Sequence, residues 1–311
     1  MNASKTIASS PVARAIKPAW KCVQDLLLSK PFRPRNWFWL GVIIFMDFLG
    51  HGLGTQLLLN GQRQSLDQLT QLLRMSTDNP ITSILLGVIV LPIALSFVLF
   101  IIWVGSRGQV MFVRAVQERN LRVSELWLRS APYSNYLFRF TVGFNGAFFV
   151  LSLAIFLLLF AQSLTLSDGG RLVFWSMLQT MYPIYMLGAP LGLIFWLVNT
   201  FLRDMVLPLM LKNDMTCMEA WARFTDLVRE APLTIGIYLV ARVVLAGFTM
   251  VVGIAFFCVG LIPVVAQIAL APLLVFDRAL SIQVLEFMLE DSANRKKAVK
   301  LKSGIRMPKP V

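Results

Sequence analysis

An all-α polytopic membrane protein with six spanning helices is the fold this sequence predicts, and three observations predict it. The 311 residues are 57% hydrophobic and only 14% charged, with a mean hydropathy of +0.70. That is too apolar for an ordinary soluble domain, so most of the chain belongs in lipid. Six apolar stretches reach the roughly 20 residues that a spanning helix requires, at about 37–59, 81–104, 136–162, 173–200, 234–258 and 261–280. Lysine and arginine then gather on alternate connections, leaving only Arg63, Arg74 and Arg171 of the 29 in the others. Short loops rich in these residues stay cytoplasmic, so both termini are expected in the cytoplasm, and a bacterial cytoplasmic (inner) membrane is the expected location.

The elements follow in order. Residues 1–36 form a basic arm in which Val12, Ile16, Ala19, Trp20, Val23 and Leu27 recur at helical spacing, with Arg14, Lys17 and Lys21 on the other side. A helix of this type can lie among headgroups and attract anionic lipid, or pack on the protein's own cytoplasmic segments. Residues 37–290 hold the six spans. The far-side turns fall at 60–80, at 164–171 and between Cys258 and Pro263. Residues 291–311, "DSANRKKAVKLKSGIRMPKPV", read as a basic, disordered cytoplasmic tail. The net charge of +13 is explained by this membrane arrangement. Nucleic acid is not an expected partner, because the basic residues lie between apolar runs and form no face of a soluble module.

Two cytoplasmic segments share a pattern. "SELWLRSAP" holds Glu125, Trp127 and Arg129, and "MEAWARFTDLVREAP" holds Glu219, Trp221 and Arg223. Each is followed by Ala-Pro and then by an apolar stretch with an arginine near its start, Arg139 or Arg242. Each is preceded by a stretch ending in arginine, Arg107 or Arg203. Two copies of one unit explain this most simply. Glu and Arg at i and i+4 share a helix face and can pair for about 0.3–0.5 kcal/mol, while Trp suits the interface, ring in lipid and N–H in water. The expected element is a short interfacial helix joining two spans. "FDRALSIQVLEFMLED", with Asp277 and Arg278, starts a truncated third unit.

The stretch "FLRDMVLPLMLKNDMTCMEAWARFTDLVREAPLTIGIYLVAR" resembles the recurring segment of bacterial and archaeal polytopic membrane families of unknown function. That group includes the membrane domain attached to some glycerophosphoryl diester phosphodiesterases. Ala220, Trp221 and Phe224 match the interfacial helix of that segment, "SRGQVMFVRAVQERN" matches more loosely, and the resemblance covers residues 81–290. It implies repeated helix pairs and carries no assigned activity. The phosphodiesterase barrel has no counterpart among the stretches marked here.

The sequence carries few residues arranged for chemistry. Phosphate loops, H-E-x-x-H, G-x-S-x-G and paired-carboxylate motifs are missing from the sequence. Cys22, Cys217 and Cys258 have neither the spacing nor the neighbours of a metal site. No enzyme activity, cofactor or metal is expected. The exception to a bland interior is "FMDFLGHG", where Asp47 and the single histidine, His51, lie inside the first apolar stretch. Ionisable groups at such depth are costly and default to a functional reading. Gly50 and Gly54 share their face as G-x-x-x-G, the pattern of closely approaching helices, and Gly188 and Gly192 repeat it in the fourth stretch. A packing seam has Asp47 and His51 satisfying each other, with Asn145 of the third stretch at similar depth. In that reading Asp47→Asn leaves stability unchanged or raised, and Gly50→Leu does more harm. A proton or ion relay expects more polar groups along a path than this sequence supplies. The seam is therefore favoured, and a non-enzymatic membrane scaffold or accessory component is the expected role. The alternative is a small transporter or lipid-handling protein using the Asp47/His51 region.

Overall fold

The computed structural model describes residues 10–28, 34–60, 85–165, 174–255 and 263–302; within the helices, the side chains of 51–60 and 174–185, among others, fall outside that description. All regular structure among the described residues is helical. We label α1 Pro11–Val23, α2 Pro34–Asn60, α3 Leu91–Glu118, α4 Val123–Thr165, α5 Phe174–Phe201, α6 Leu207–Asn213, α7 Cys217–Glu230, α8 Pro232–Ala255 and α9 Pro263–Lys302. Wide π-type turns at Leu85–Val90 and Leu202–Val206 lead into α3 and α6.

Five helical segments among the described residues are long and apolar enough to cross a membrane: Val88–Glu118, Val123–Ile155, Gly188–Asn213, Pro232–Gly253 and Gln267–Lys297. The first expected span, 37–59, lies on the 27-residue helix α2, whose side chains are described only as far as Gly50. The expected turns at 60–80, at 164–171 and between Cys258 and Pro263 fall wholly or largely outside the described residues. Apolar side chains of 88–90 in the wide turn before α3, 93–100 on α3, 149–153 on α4 and 240–251 on α8 are exposed in large part, as surfaces in contact with lipid would be.

The buried core lies at the other end of these helices, where 110–116, 202–210 and 271–288 come together with α1. Ser10 caps α1 by accepting from Ala13 N at 3.3 Å, and Pro11 suits its first turn. Val12, Ala15, Ala19, Cys22 and Val23 bury the apolar stripe of α1. Of the two surfaces open to this helix, it uses the protein's own: Trp20 meets Phe276 of α9 edge-on at 6.3 Å, and Arg14 reaches Asp291 at 3.2 Å.

Two expectations need correction. The tail beyond residue 290 is not disordered from its start, since α9 continues to Lys302. Glu230, at the end of α7, holds that extension by accepting from Ser292 at 2.5 Å and pairing with Lys296 at 2.9 Å, while Arg295 donates to the Glu230 carbonyl at 2.9 Å. The hydrogen bonds from Ser292, foremost, and Lys296 hold the Glu230 carboxyl below its usual range. The first E-x-W-x-R segment is not a separate interfacial helix either, because α4 runs without interruption through Pro132 from Val123 to Thr165. The second segment is separate. A capping box at Thr216 and Glu219 starts α7, and Ala231, at φ −142° and ψ 59°, ends it before Pro232 opens α8.

Candidate functional site

Asp47 lies on α2, Arg203 and Asp204 in the wide turn after α5, Tyr238 and Arg242 on α8, and Asp277 and Arg278 on α9. The fold brings all seven together. Arg203 is 3.1 Å from Asp47, and Arg278 lies 3.7 Å from Asp47 and 3.6 Å from Asp204. Arg242 is 3.0 Å from Asp204 and also pairs with Asp277. The charges alternate along one chain, Arg203, Asp47, Arg278, Asp204, Arg242 and Asp277, so three guanidiniums meet three carboxylates. Tyr238 donates to Asp204 at 2.8 Å, Arg278 donates to the Arg203 carbonyl at 2.7 Å, and the Arg278 guanidinium lies 5.3 Å from the centre of the Phe112 ring.

Burial gives the network its weight. Asp47, Asp204 and Arg278 are buried, Arg278 with 1% of its surface exposed. Removing such charges from water costs several kcal/mol each, and only close pairing with hydrogen bonds repays it. Each charge here faces at least one opposite charge, so the arrangement binds four chain segments to one another. The wide turn matters locally, because Leu202, Asp204, Met205 and Val206 are all buried within it, and π-type widening re-aims successive side chains at functional positions.

Beside the network, α2 and α3 touch backbone to backbone. A Cβ added to Gly50 would lie 2.9 Å from the Gly105 Cα, one on Gly105 would strike the Gly50 backbone, and one on Gly108 would strike the backbone of Met46 and Asp47. Gly50 thus lies at a close helix contact, and the partners Gly105 and Gly108 form a small-residue pair that the sequence reading passed over. The side chain of His51 and the surroundings of Gly54 lie outside the described residues.

Three expectations about site residues change. The partners of Asp47 among the described residues are Arg203 and Arg278, and Asn145 is not one of them; the Asn145 Oδ1 is buried without a hydrogen-bond partner there. No close packing at Gly188 and Gly192 is seen among the described residues, where a Cβ on either would meet nothing within 4 Å. Trp221 does not hold its N–H in water. Its ring stacks at 6.0 Å on Phe140 and meets Phe224 at 5.8 Å, and its Nε1 is buried.

In the first E-x-W-x-R segment Arg129 pairs with Glu125 at 2.6 Å, as the i, i+4 spacing requires, and the Arg107 guanidinium lies 4.3 Å from the Trp127 ring centre and 4.9 Å from that of Trp103. In the second, Glu219 accepts from Thr216 N at 2.9 Å and so caps α7. Arg223 is exposed on α7, and Ala220 and Phe224 turn into the core.

Two cysteines are buried within the described residues. Burial raises both thiols, Cys217 to about 12. A thiol whose ionisation is pushed up by burial is a poorer nucleophile and a poorer metal ligand at neutral pH.

Together these features define a class: a protein helical throughout its described residues, with five helices long and apolar enough to cross a membrane, tied at one end by a buried, charge-balanced network. Within that class the chain belongs to the family described as "Family of unknown function (DUF7544)", which matches residues 12–289. No curated protein and no solved structure matches it.

Proposed function

We propose that this protein is a non-enzymatic scaffold or accessory component of a bacterial cytoplasmic membrane, with six spans, both termini in the cytoplasm, and its cytoplasmic ends clasped by the Arg203, Asp47, Arg278, Asp204, Arg242 and Asp277 network. The pairing of every charged side chain in that network with at least one opposite charge supports the reading best. A proton or ion carrier needs a titratable group whose charge is free to change, and here each carboxylate faces an arginine. The six-span topology adds α2 to the five apolar segments and draws on the lysine and arginine distribution. Repeated helix pairs, and kinship with the membrane domain attached to some glycerophosphoryl diester phosphodiesterases, belong to the same reading through Ala220, Trp221 and Phe224.

The test has two arms. Reporter fusions after residues 36, 120, 215 and 305 are expected to read cytoplasmic, and fusions near 70 and 168 external; one reversed internal loop overturns the topology. Purified chain in liposomes is expected to carry no pH-dependent ion or proton flux. A flux present in the parent and lost in a folded Asp47→Asn variant replaces the scaffold with a carrier.

A further inference from the structure

Where α2 begins, α3 ends and α4 begins, the chain leaves an open cleft of about 1180 Å³. This exceeds the roughly 300–1,000 Å³ of an ordinary small-molecule pocket. One wall is basic. Arg35, Arg119 and Arg122 line it, against one lining carboxylate among the described residues, Asp25, which pairs with Arg119 at 2.5 Å. Arg35 has no ion pair among the described residues. Arg122 keeps 80% of its side chain exposed and comes no closer than 4.0 Å to Glu125, a carboxylate already held by Arg129 at 2.6 Å. Two guanidiniums therefore face the cleft largely uncompensated. The other wall is apolar and carries the exposed rings and chains of Trp39 and Leu128.

The connection that presents these arginines is fixed. Arg119 is held at φ 52°, in the left-handed region that non-glycine residues enter at a cost. Asn120 stabilises the turn by accepting from Arg122 N at 3.2 Å and donating to Glu125 at 3.4 Å. The backbone that carries Arg119 and Arg122 is thus fixed before any ligand arrives, and guanidinium forks match phosphate oxygens better than a diffuse basic surface does. The cleft also lies where apolar spans meet their polar connections, the level of phospholipid headgroups.

We infer that this cleft binds a phosphate-bearing anion, and that its source is an anionic phospholipid of the adjoining leaflet, with the headgroup phosphate between Arg35 and Arg122 and the apolar part against Trp39 and Leu128. This rests on the chain spanning a membrane. It does not rest on the scaffold role or on which side the termini face, so a positive flux result leaves it standing.

The experiment titrates delipidated full-length protein in detergent with phosphatidylglycerol, phosphatidylcholine or inorganic phosphate, counting bound molecules by native mass spectrometry. The expected result is saturable binding of phosphatidylglycerol at one site, with neither of the others competing. The double variant Arg35→Gln, Arg122→Gln should bind about 25-fold more weakly, at about fivefold per arginine. Asp25→Asn, which removes the carboxylate in the cleft, should bind about fivefold more tightly. The control Arg223→Gln, Arg229→Gln, on the exposed face of α7, should bind as the parent does. The substituted side chains are exposed or half-exposed, and melting temperatures without lipid check that each variant folds. Equal binding of phosphatidylcholine, or an equal loss in the control, overturns the site. Binding of inorganic phosphate alone overturns the lipid assignment and leaves a soluble anion in its place.

Discussion

The two E-x-W-x-R segments have the same residue types at the same spacing, yet the fold uses them differently. Around the first, Arg107 stacks on Trp103 and Trp127 and Arg139 is exposed. Around the second, Arg203 and Arg242 enter the buried charge network. One neighbouring residue accounts for much of the divergence. Arg203 is followed by Asp204, which supplies a carboxylate in the interior, whereas Arg107 is followed by Gly108, which gives none and instead lets α3 touch α2. An arginine without a buried acid nearby settles on an aromatic face at the rim, where a cation–π contact is worth about 0.5–2 kcal/mol. An arginine with one can be taken inside. The lesson is that a recurring motif fixes local geometry, while the role of each copy depends on what its neighbours offer across the interface.

The sharpest way to break this comparison is to remove the acid. Asp204→Asn should destabilise the protein by about 3–5 kcal/mol, because it leaves Arg242 and Arg278 short of a buried partner. Asp47→Asn should cost nearly as much for the same reason, reversing the expectation that it would be neutral or stabilising. Arg139→Gln, at the corresponding exposed arginine, should stay within about 0.5 kcal/mol. Denaturation of the purified variants in one detergent measures all three. A neutral Asp204→Asn would mean that the network does not clasp the helices.

Next in size is the backbone contact that Gly108 helps to form. Gly105→Leu and Gly50→Leu should each cost about 3 kcal/mol or prevent folding, since neither helix can give way without moving its backbone. Gly188→Leu and Gly192→Leu, with nothing among the described residues within 4 Å of a Cβ, should be nearly silent. Thermal melts of the four proteins separate the two pairs.

The tryptophans sharpen the comparison further. Trp127→Ala and Trp221→Ala should each cost about 2 kcal/mol, as half-buried aromatic anchors do. Phenylalanine should tell them apart. Trp221→Phe removes an N–H that finds no hydrogen-bond partner among the described residues and should be almost free of cost. Trp127→Phe weakens the ring that Arg107 faces and should cost more. The same melts, read as differences between the two Phe variants, decide it.

The smallest effect lies at the end of α7, which has no counterpart in the uninterrupted α4. The folded-state pKa of Glu230 is lowered, so its stabilising contribution is present above the ordinary carboxylate value of 4.5 and is lost as pH falls through the lowered one. The melting temperature of Glu230→Gln should therefore fall slightly below that of the parent at pH 7, and the gap should close as the pH is taken down through the lowered pKa. A gap that widens in acid would place the Ser292 and Lys296 contacts elsewhere.

How much of this was legible in the sequence depended on the range of the interaction. Asp47 announced itself as an ionisable group in an apolar run, and the arginines at 107, 203, 139 and 242 stood out through their shared positions around the motif. Their partners did not, because Asp47 and Arg203 are 156 residues apart. Asp204 and Tyr238 looked like ordinary polar residues beside apolar stretches. Balancing the charges within those stretches would have offered a clue, as three acids and three arginines need one another once water is gone.

Composition, the length of the apolar stretches and the 3.6-residue period are properties of the chain itself, so the sequence alone determined that this protein is all-helical, that its helices are apolar enough to span, and that α1 has one apolar face. Where α1 buries that face, which arginine enters the network, that Ala131-Pro132 is bridged while Ala231-Pro232 breaks, and that Gly50 meets Gly105 were decided only by the tertiary structure. Each depends on a surface contributed by a distant segment, and a side chain's energy in a low-dielectric interior is set by the groups that face it there.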